Sequence, residues 1–96
     1  MVMRALGIAE LSVNADVAAK LEAKHGVTVG EAEEAVFAAD TQIRRGRAGL
    51  YLLYGCTEAG RYLFVVIATQ RYKARLVTAR DMTPKERRLY GRQVRR

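Results

Sequence analysis

Two runs, Leu50–Thr57 and Arg61–Thr69, are built almost entirely from β-branched, aromatic and other apolar residues. Only Glu58-Ala59-Gly60 separates them. A three-residue link ending in glycine suits two antiparallel strands joined directly, so a β-hairpin is expected here. This hairpin constrains the chain most, because every other element must be arranged around an antiparallel pair.

The flanking segments supply both helices and further strands. Ala9–Val13 reads as a short strand. Asn14 can cap a helix over Ala15–His25, with Val17, Leu21 and His25 four apart on one face beside Ala18. Gly26 then suits the left-handed position that ends a helix. Thr28 and Glu31 have capping-box spacing, and a second helix is expected over Val29–Ala39, buried through Val29, Ala32, Val36 and Ala39. Thr41–Arg45 is a candidate strand, followed by a charged turn at Gly46–Gly49. After the hairpin, Gln70–Tyr72 makes a turn and Lys73–Arg80 a strand. Thr83-Pro84-Lys85-Glu86 starts a helix over Pro84–Tyr90, which Gly91 is expected to end. The expected fold class is α+β, with helices packed on one face of a small antiparallel sheet.

At 96 residues the chain is read as one domain, residues 1–96, with a core over 10–90 and a basic tail at 91–96. So small a core suggests help from a partner, as a hetero-oligomer or a homodimer. One cysteine, Cys56, excludes an internal disulfide. One cysteine and one histidine cannot close a zinc shell, so neither metal nor cofactor is expected. No apolar run is long enough to cross a membrane, and a cytoplasmic protein is expected. Charge divides the chain. Residues 1–40 carry three basic and seven acidic side chains, a net of −4, whereas residues 41–96 carry fourteen and three, a net of +11. Thirteen of the seventeen basic residues are arginine. Arginine's planar fork matches phosphate oxygens, so a polyanionic partner is indicated: nucleic acid or an acidic protein segment. A merely solubilising surface is the plainer alternative.

Four segments in order, Lys24-His25-Gly26-Val27, the acidic helix Glu31–Phe37, Gly60-Arg61 with the strand Tyr62–Val66, and Thr78–Tyr90 containing Thr78-Ala79-Arg80 and Glu86-Arg87-Arg88-Leu89-Tyr90, resemble the BrnT family of toxins from bacterial type II toxin–antitoxin pairs. The resemblance spans roughly residues 10–90. The opening strand, Glu10-Leu11-Ser12-Val13-Asn14, departs from the family pattern in lacking its aromatic pair. The resemblance implies a RelE-like fold and a ribonuclease that stops translation. It implies a BrnA-like antitoxin with a ribbon–helix–helix domain, and operator DNA reached only through the complex. A non-catalytic basic module that binds nucleic acid or a partner is the alternative, as is a structural protein that only docks an acidic partner.

Metal-free RNA cleavage needs a base, an acid and cationic donors for the phosphate. The candidate catalytic residues are His25, Arg61, Arg80 and Glu86. His25 could serve as base or acid, or could simply bond the last carbonyls of its helix. Lys24 faces the same choice between RNA contact and helix-end charge. Arg61 begins one strand and Arg80 ends the next, so in an antiparallel pair they could share an end of the sheet and clamp a phosphate. The competing reading pairs Arg80 with Asp81 or Glu86. Glu86 is explained by its cap before any catalysis. Candidate RNA contacts are Lys24, Arg44, Arg45, Arg47, Lys85, Arg87, Arg88 and Tyr90, the last either stacking on a base or packing on the sheet. The tyrosines, Phe64 and Cys56 are read as core or sheet-surface residues.

An antitoxin segment carrying Asp or Glu opposite Arg44, Arg45 or Arg47 should associate through long-range attraction. Reversing two of these charges should slow association and flatten its salt dependence in stopped-flow mixing. Wild-type binding that does not change across a salt titration would instead indicate an apolar interface.

Overall fold

The computed structural model describes residues 6–93. The elements run β1 (Glu10–Ser12), α1 (Ala15–His25), α2 (Val29–Phe37), β2 (Gln42–Arg45), β3 (Leu50–Cys56), β4 (Tyr62–Gln70), β5 (Lys73–Asp81) and α3 (Pro84–Gln93). Of the expected basic tail, residues 94–96 lie outside the described residues. Among the described residues no helix is long and apolar enough to cross a membrane.

Local signals place the element ends. The Asn14 side chain accepts the Asp16 N–H at 2.7 Å, and Gly26 ends α1 at φ 61°. Thr28 and Glu31 cap α2 reciprocally. That helix stops at Phe37, short of the expected Ala39, because Ala38 turns extended and Thr41 Oγ1 donates to the Ala35 carbonyl at 2.6 Å. Ala39 is therefore exposed rather than buried. On α1 the buried face ends at Leu21, and His25 is exposed.

The expected hairpin forms: Leu50–Cys56 pairs antiparallel with Tyr62–Ala68. The sheet has five strands in the order β1-β5-β4-β3-β2. It is mixed rather than purely antiparallel, since β1 runs parallel to β5, with Glu10 opposite Lys73. A local pattern identifies a strand but not the distant edge it will join. The helices also divide between the faces. α1 packs on β5, and α2 packs on β3 and β4. Their apolar sides meet Leu53, Leu63, Val65 and Ile67 in the core. α3 lies against the other face, where Tyr90 meets Tyr62 edge-on with ring centroids 5.9 Å apart. We call these the inner and outer faces.

Two details of the sheet position its helices and its arginines. Gly55 is buried beneath α2, and a Cβ there would overlap the Ala35 carbonyl oxygen. The missing side chain lets helix and sheet approach. In β5, Val66 pairs with Thr78 but Ile67 pairs with Leu76, leaving Val77 as an extra residue. The bulge switches the buried positions from Ala74 and Leu76 to Ala79. It thereby turns Arg80 to the outer face. Uninterrupted alternation from Ala74 and Leu76 would have aimed Arg80 inward.

Gly91 lies inside α3 rather than ending it, because the helix continues to Gln93 without a left-handed residue. A Cβ at Gly91 meets nothing within 4 Å. Gly91→Ala should therefore stabilise the protein by about 0.5–1 kcal/mol. Gly55→Ala should cost about 1–3 kcal/mol through overpacking. Urea denaturation of both variants checks the pair; a loss of stability at Gly91 would return that residue to the helix end.

Candidate active site

One end of the sheet carries two arginine clusters, one on each face. On the inner side, Arg61 directly precedes β4 and uses all five of its side-chain N–H groups. Nε donates to Asp81 Oδ1 at 2.7 Å and Nη2 to Asp81 Oδ2 at 3.0 Å. Nη2 also donates to the His25 carbonyl at 2.9 Å, and Nη1 to the Gly26 carbonyl at 2.8 Å. Nη1 completes the set with the Glu31 carboxylate at 3.2 Å. The two carbonyls belong to the end of α1, where backbone acceptors lack helical partners. Asp81 is held below the usual carboxylate range, chiefly by hydrogen bonding from Arg61. Glu31 is lowered first by the Thr28 backbone N–H and then by Arg61. The His25 side chain lies within electrostatic reach of the Asp81 carboxylate. Lys24 is exposed in the last turn of α1.

On the outer face, Glu86 grips Arg80 with two bonds, Nη1 to Oε1 at 2.8 Å and Nη2 to Oε2 at 3.1 Å. Nη1 also donates to the Asp81 carbonyl at 3.0 Å. The guanidinium carbon sits 4.2 Å from the centre of the Phe64 ring. Arg80 Nε–H and one Nη2 N–H have no protein acceptor among the described residues. The Arg80 side chain keeps 35% exposure. Glu86 also accepts the Thr83 N–H at 2.9 Å while its own N–H donates to Thr83 Oγ1, which closes the capping box of α3. Hydrogen bonding from Arg80 is the main reason its carboxyl is lowered, so Glu86 is an anion at neutral pH.

The sheet register sets these neighbours. Gln42, Tyr54, Phe64 and Arg80 lie directly opposite one another across β2 to β5. A small pocket of about 30 Å³ under α3 is lined by Gln42, Arg44, Tyr54, Glu86, Leu89 and Tyr90. Tyr90 is buried there and its hydroxyl is raised above the usual range, first by burial and then by Asp40. Arg87 covers the Tyr62 ring at 4.5 Å, and Lys85 and Arg88 are exposed on α3.

Arg61 and Arg80 thus share one end of the sheet but not one face, and Arg61 has no donor left for a phosphate. The expected two-arginine clamp does not form. The run Arg44-Arg45-Gly46-Arg47 is divided too. Arg44 and Arg45 belong to β2, Arg44 lies over Tyr54 on the outer face, and Arg45 lies over Tyr51 on the inner side. Arg47 is exposed in the turn. Sequence reasoning missed Phe64 and Tyr54 as parts of the outer cluster. Their signal is the alternation Tyr54-Gly55-Cys56 and Tyr62-Leu63-Phe64, which puts aromatic residues on one face without saying which face is open. Arg75, exposed opposite Ala68, was also missed.

A family profile described as ribonuclease toxin, BrnT, of type II toxin–antitoxin system matches residues 14–86. The chain belongs to the BrnT toxin family. A crystal structure of the Brucella abortus ribonuclease toxin BrnT shares the fold, with a TM-score of 0.65 over 77% of this chain and 96% of that one, at 12% identity. No curated protein matches the chain in sequence. As a type II toxin, this BrnT protein has an antitoxin as its partner. The matched stretch contains both clusters, from the start of α1 to Glu86.

Asp81, Glu31 and Glu86 all have lowered folded-state pKa values. Their stabilisation is complete above the unfolded values near 4 and is lost as pH falls through the lower folded values. The melting temperature should be flat above about pH 5 and fall below about pH 4. Asp81→Asn combined with Glu86→Gln should flatten that acid limb in a melting series, whereas an unchanged limb would assign the acid sensitivity elsewhere.

Proposed function

We propose that this BrnT toxin is a metal-independent endoribonuclease that inhibits translation in the cytoplasm, and that Arg80 is its phosphate-binding catalytic residue. One observation carries this reading: Arg80 is held from two sides on an accessible basic face, with two N–H donors unspent. Attack of a ribose 2′-hydroxyl on the neighbouring phosphorus gives a 2′,3′-cyclic phosphate; the hydroxyl proton goes to a base, the bond to the 5′-oxygen breaks and that oxygen takes a proton from an acid, while negative charge builds on the phosphoryl oxygens. Donors already in place stabilise that charge more than they stabilise bound substrate. Glu86 orients Arg80, and its lowered pKa makes it a weak proton acceptor at neutral pH. Arg61 acts through structure, by fixing the end of α1 that carries Lys24 and His25. His25 acts as base or acid only where the RNA reaches round the end of the sheet from Arg80. Arg44, Arg75, Arg87, Lys85 and Arg88 supply sequence-independent attraction to the backbone. A BrnA-like ribbon–helix–helix antitoxin with an acidic segment neutralises the toxin by covering this basic surface, and operator DNA is met through that complex.

A second reading is favoured by the position of His25. It is the only side chain that ordinarily titrates near neutrality, and it lies in the inner layer, away from Arg80. On this reading the domain binds RNA or its partner without cleaving.

Arg80→Ala should reduce RNA cleavage by about a hundredfold or more, with a much smaller loss of RNA binding. Arg80→Lys should rescue only in part, because a point charge cannot reproduce a fork. Melting curves must accompany the assay, since loss of the Arg80–Glu86 pair can loosen α3. A folded Arg80→Ala protein with full cleavage would remove Arg80 from the site, and a wild-type chain that binds RNA but leaves it intact would establish the second reading.

A further inference from the structure

The Glu86 grip fixes one edge of the Arg80 guanidinium. Two bonds to the Glu86 carboxylate and one from Nη1 to the Asp81 carbonyl hold that edge, and the opposite, Nε edge has no hydrogen-bonded partner among the described residues. Phe64 supports the group from its flat side. It stands directly opposite Arg80 in the β4–β5 register, so the contact is set by strand pairing and not by a long side chain finding a partner. The guanidinium carbon lies 4.2 Å from the ring centre, within cation–π range. Phe64 is itself braced by Tyr54, opposite it in β3, with centroids 5.2 Å apart and rings tilted by 46°. The bulge at Val77 is what brings Arg80 onto this face at all.

We propose that Phe64 is the positioning residue of Arg80: its ring holds the guanidinium so that the free Nε–H and Nη2 N–H face a phosphate arriving on the outer face. The inference rests on the reading of Arg80 as the phosphate donor. It assigns Phe64 no contact with substrate. A leucine at this position would keep the strand and most of the packing while removing the negative ring face. A tryptophan would keep that face and strengthen it. Positioning of this kind acts on the rate more than on binding, because the other arginines supply the general attraction to RNA.

The test uses the full chain and a short single-stranded RNA, with melting curves for every variant. Phe64→Leu should lower kcat about tenfold and leave KM within about twofold, while Phe64→Trp should retain the wild-type rate. In an Arg80→Ala background, Phe64→Leu should change the rate no further, because the group it positions has gone. A folded Phe64→Leu protein with wild-type kcat would overturn the proposal, as would an equal further loss in the Arg80→Ala background. Should Phe64→Leu not fold, Phe64→Met is read in its place by the same criteria.

A second measurement separates this inference from the ribonuclease reading. The Arg80 Nε–Hε resonance should be displaced by the ring in wild type and return towards the free-arginine position in Phe64→Leu. If the wild-type chain cleaves no RNA, the ribonuclease reading fails, and titration with inorganic phosphate then decides the role of Phe64. About tenfold more phosphate needed to shift that resonance in Phe64→Leu supports positioning. Equal titration of the two proteins rejects it.

Discussion

One guanidinium holds the two layers of this domain in register. α1 ends at Gly26 with carbonyls that the helix cannot satisfy, and α2 begins three residues later, at Val29, behind its Thr28 cap. Arg61 accepts the task of joining both to the sheet, through two carbonyls, Glu31 and Asp81. The partners come from three distant segments, so none can move without giving up a charge-assisted hydrogen bond. The segments that first suggested the family, Lys24–Val27, the acidic helix, Gly60-Arg61 and the stretch around Asp81, are therefore neighbours in space. Their shared pattern has a structural cause in this chain, whatever each does in catalysis.

Much of the fold was legible because its signals are local. Asn14, Gly26, the Thr28–Glu31 pair and the Thr83–Glu86 pair act within four residues of themselves, and the hairpin is declared by its Gly60 link. Two features were hidden because they depend on distant residues: β1 joins β5 at the far edge in parallel, and α3 crosses to the outer face. The run of α3 through Gly91 differs from expectation because glycine ends a helix where it turns left-handed, and Gly91 does not. The candidate site was half legible. Arg80 and Glu86 could be named, and their pairing stood among the alternatives. Their separation from Arg61 could not be read, because one unpaired valine reverses the alternation of β5 between Leu76 and Ala79. Phe64 and Tyr54 were invisible as a brace for the same reason: facing is a property of the finished sheet.

The division of charge along the sequence becomes a division in space. α1 and α2, from the acidic part of the sequence, form the inner helical layer, whereas Arg44, Arg75, Arg80 and the exposed arginines of α3 lie on the outer side. Such an arrangement gives the molecule an electrical polarity that presents one side to a polyanion at a distance, before any contact forms. Glu86 is an acidic residue within this basic face. It neutralises part of Arg80 and also anchors the first turn of α3, so the charge presented to a phosphate and the seating of the last helix share one carboxylate.

Val77 illustrates how the facing of a site can reside in a backbone irregularity. As a half-buried valine it contributes an ordinary apolar side chain. As an extra residue in a bulge it lets Leu76 face Ile67 and Thr78 face Val66, neighbours in β4, although it stands between them in the sequence. Deleting it would join Leu76 to Thr78 in plain alternation and leave Arg80 opposite Phe64 on the outer face. Flattening the bulge with Val77 kept in the ladder would instead aim Arg80 toward the hydrophobic layer and Ala79 outward. The facing of the site thus rests on a backbone irregularity and not on the size of the valine.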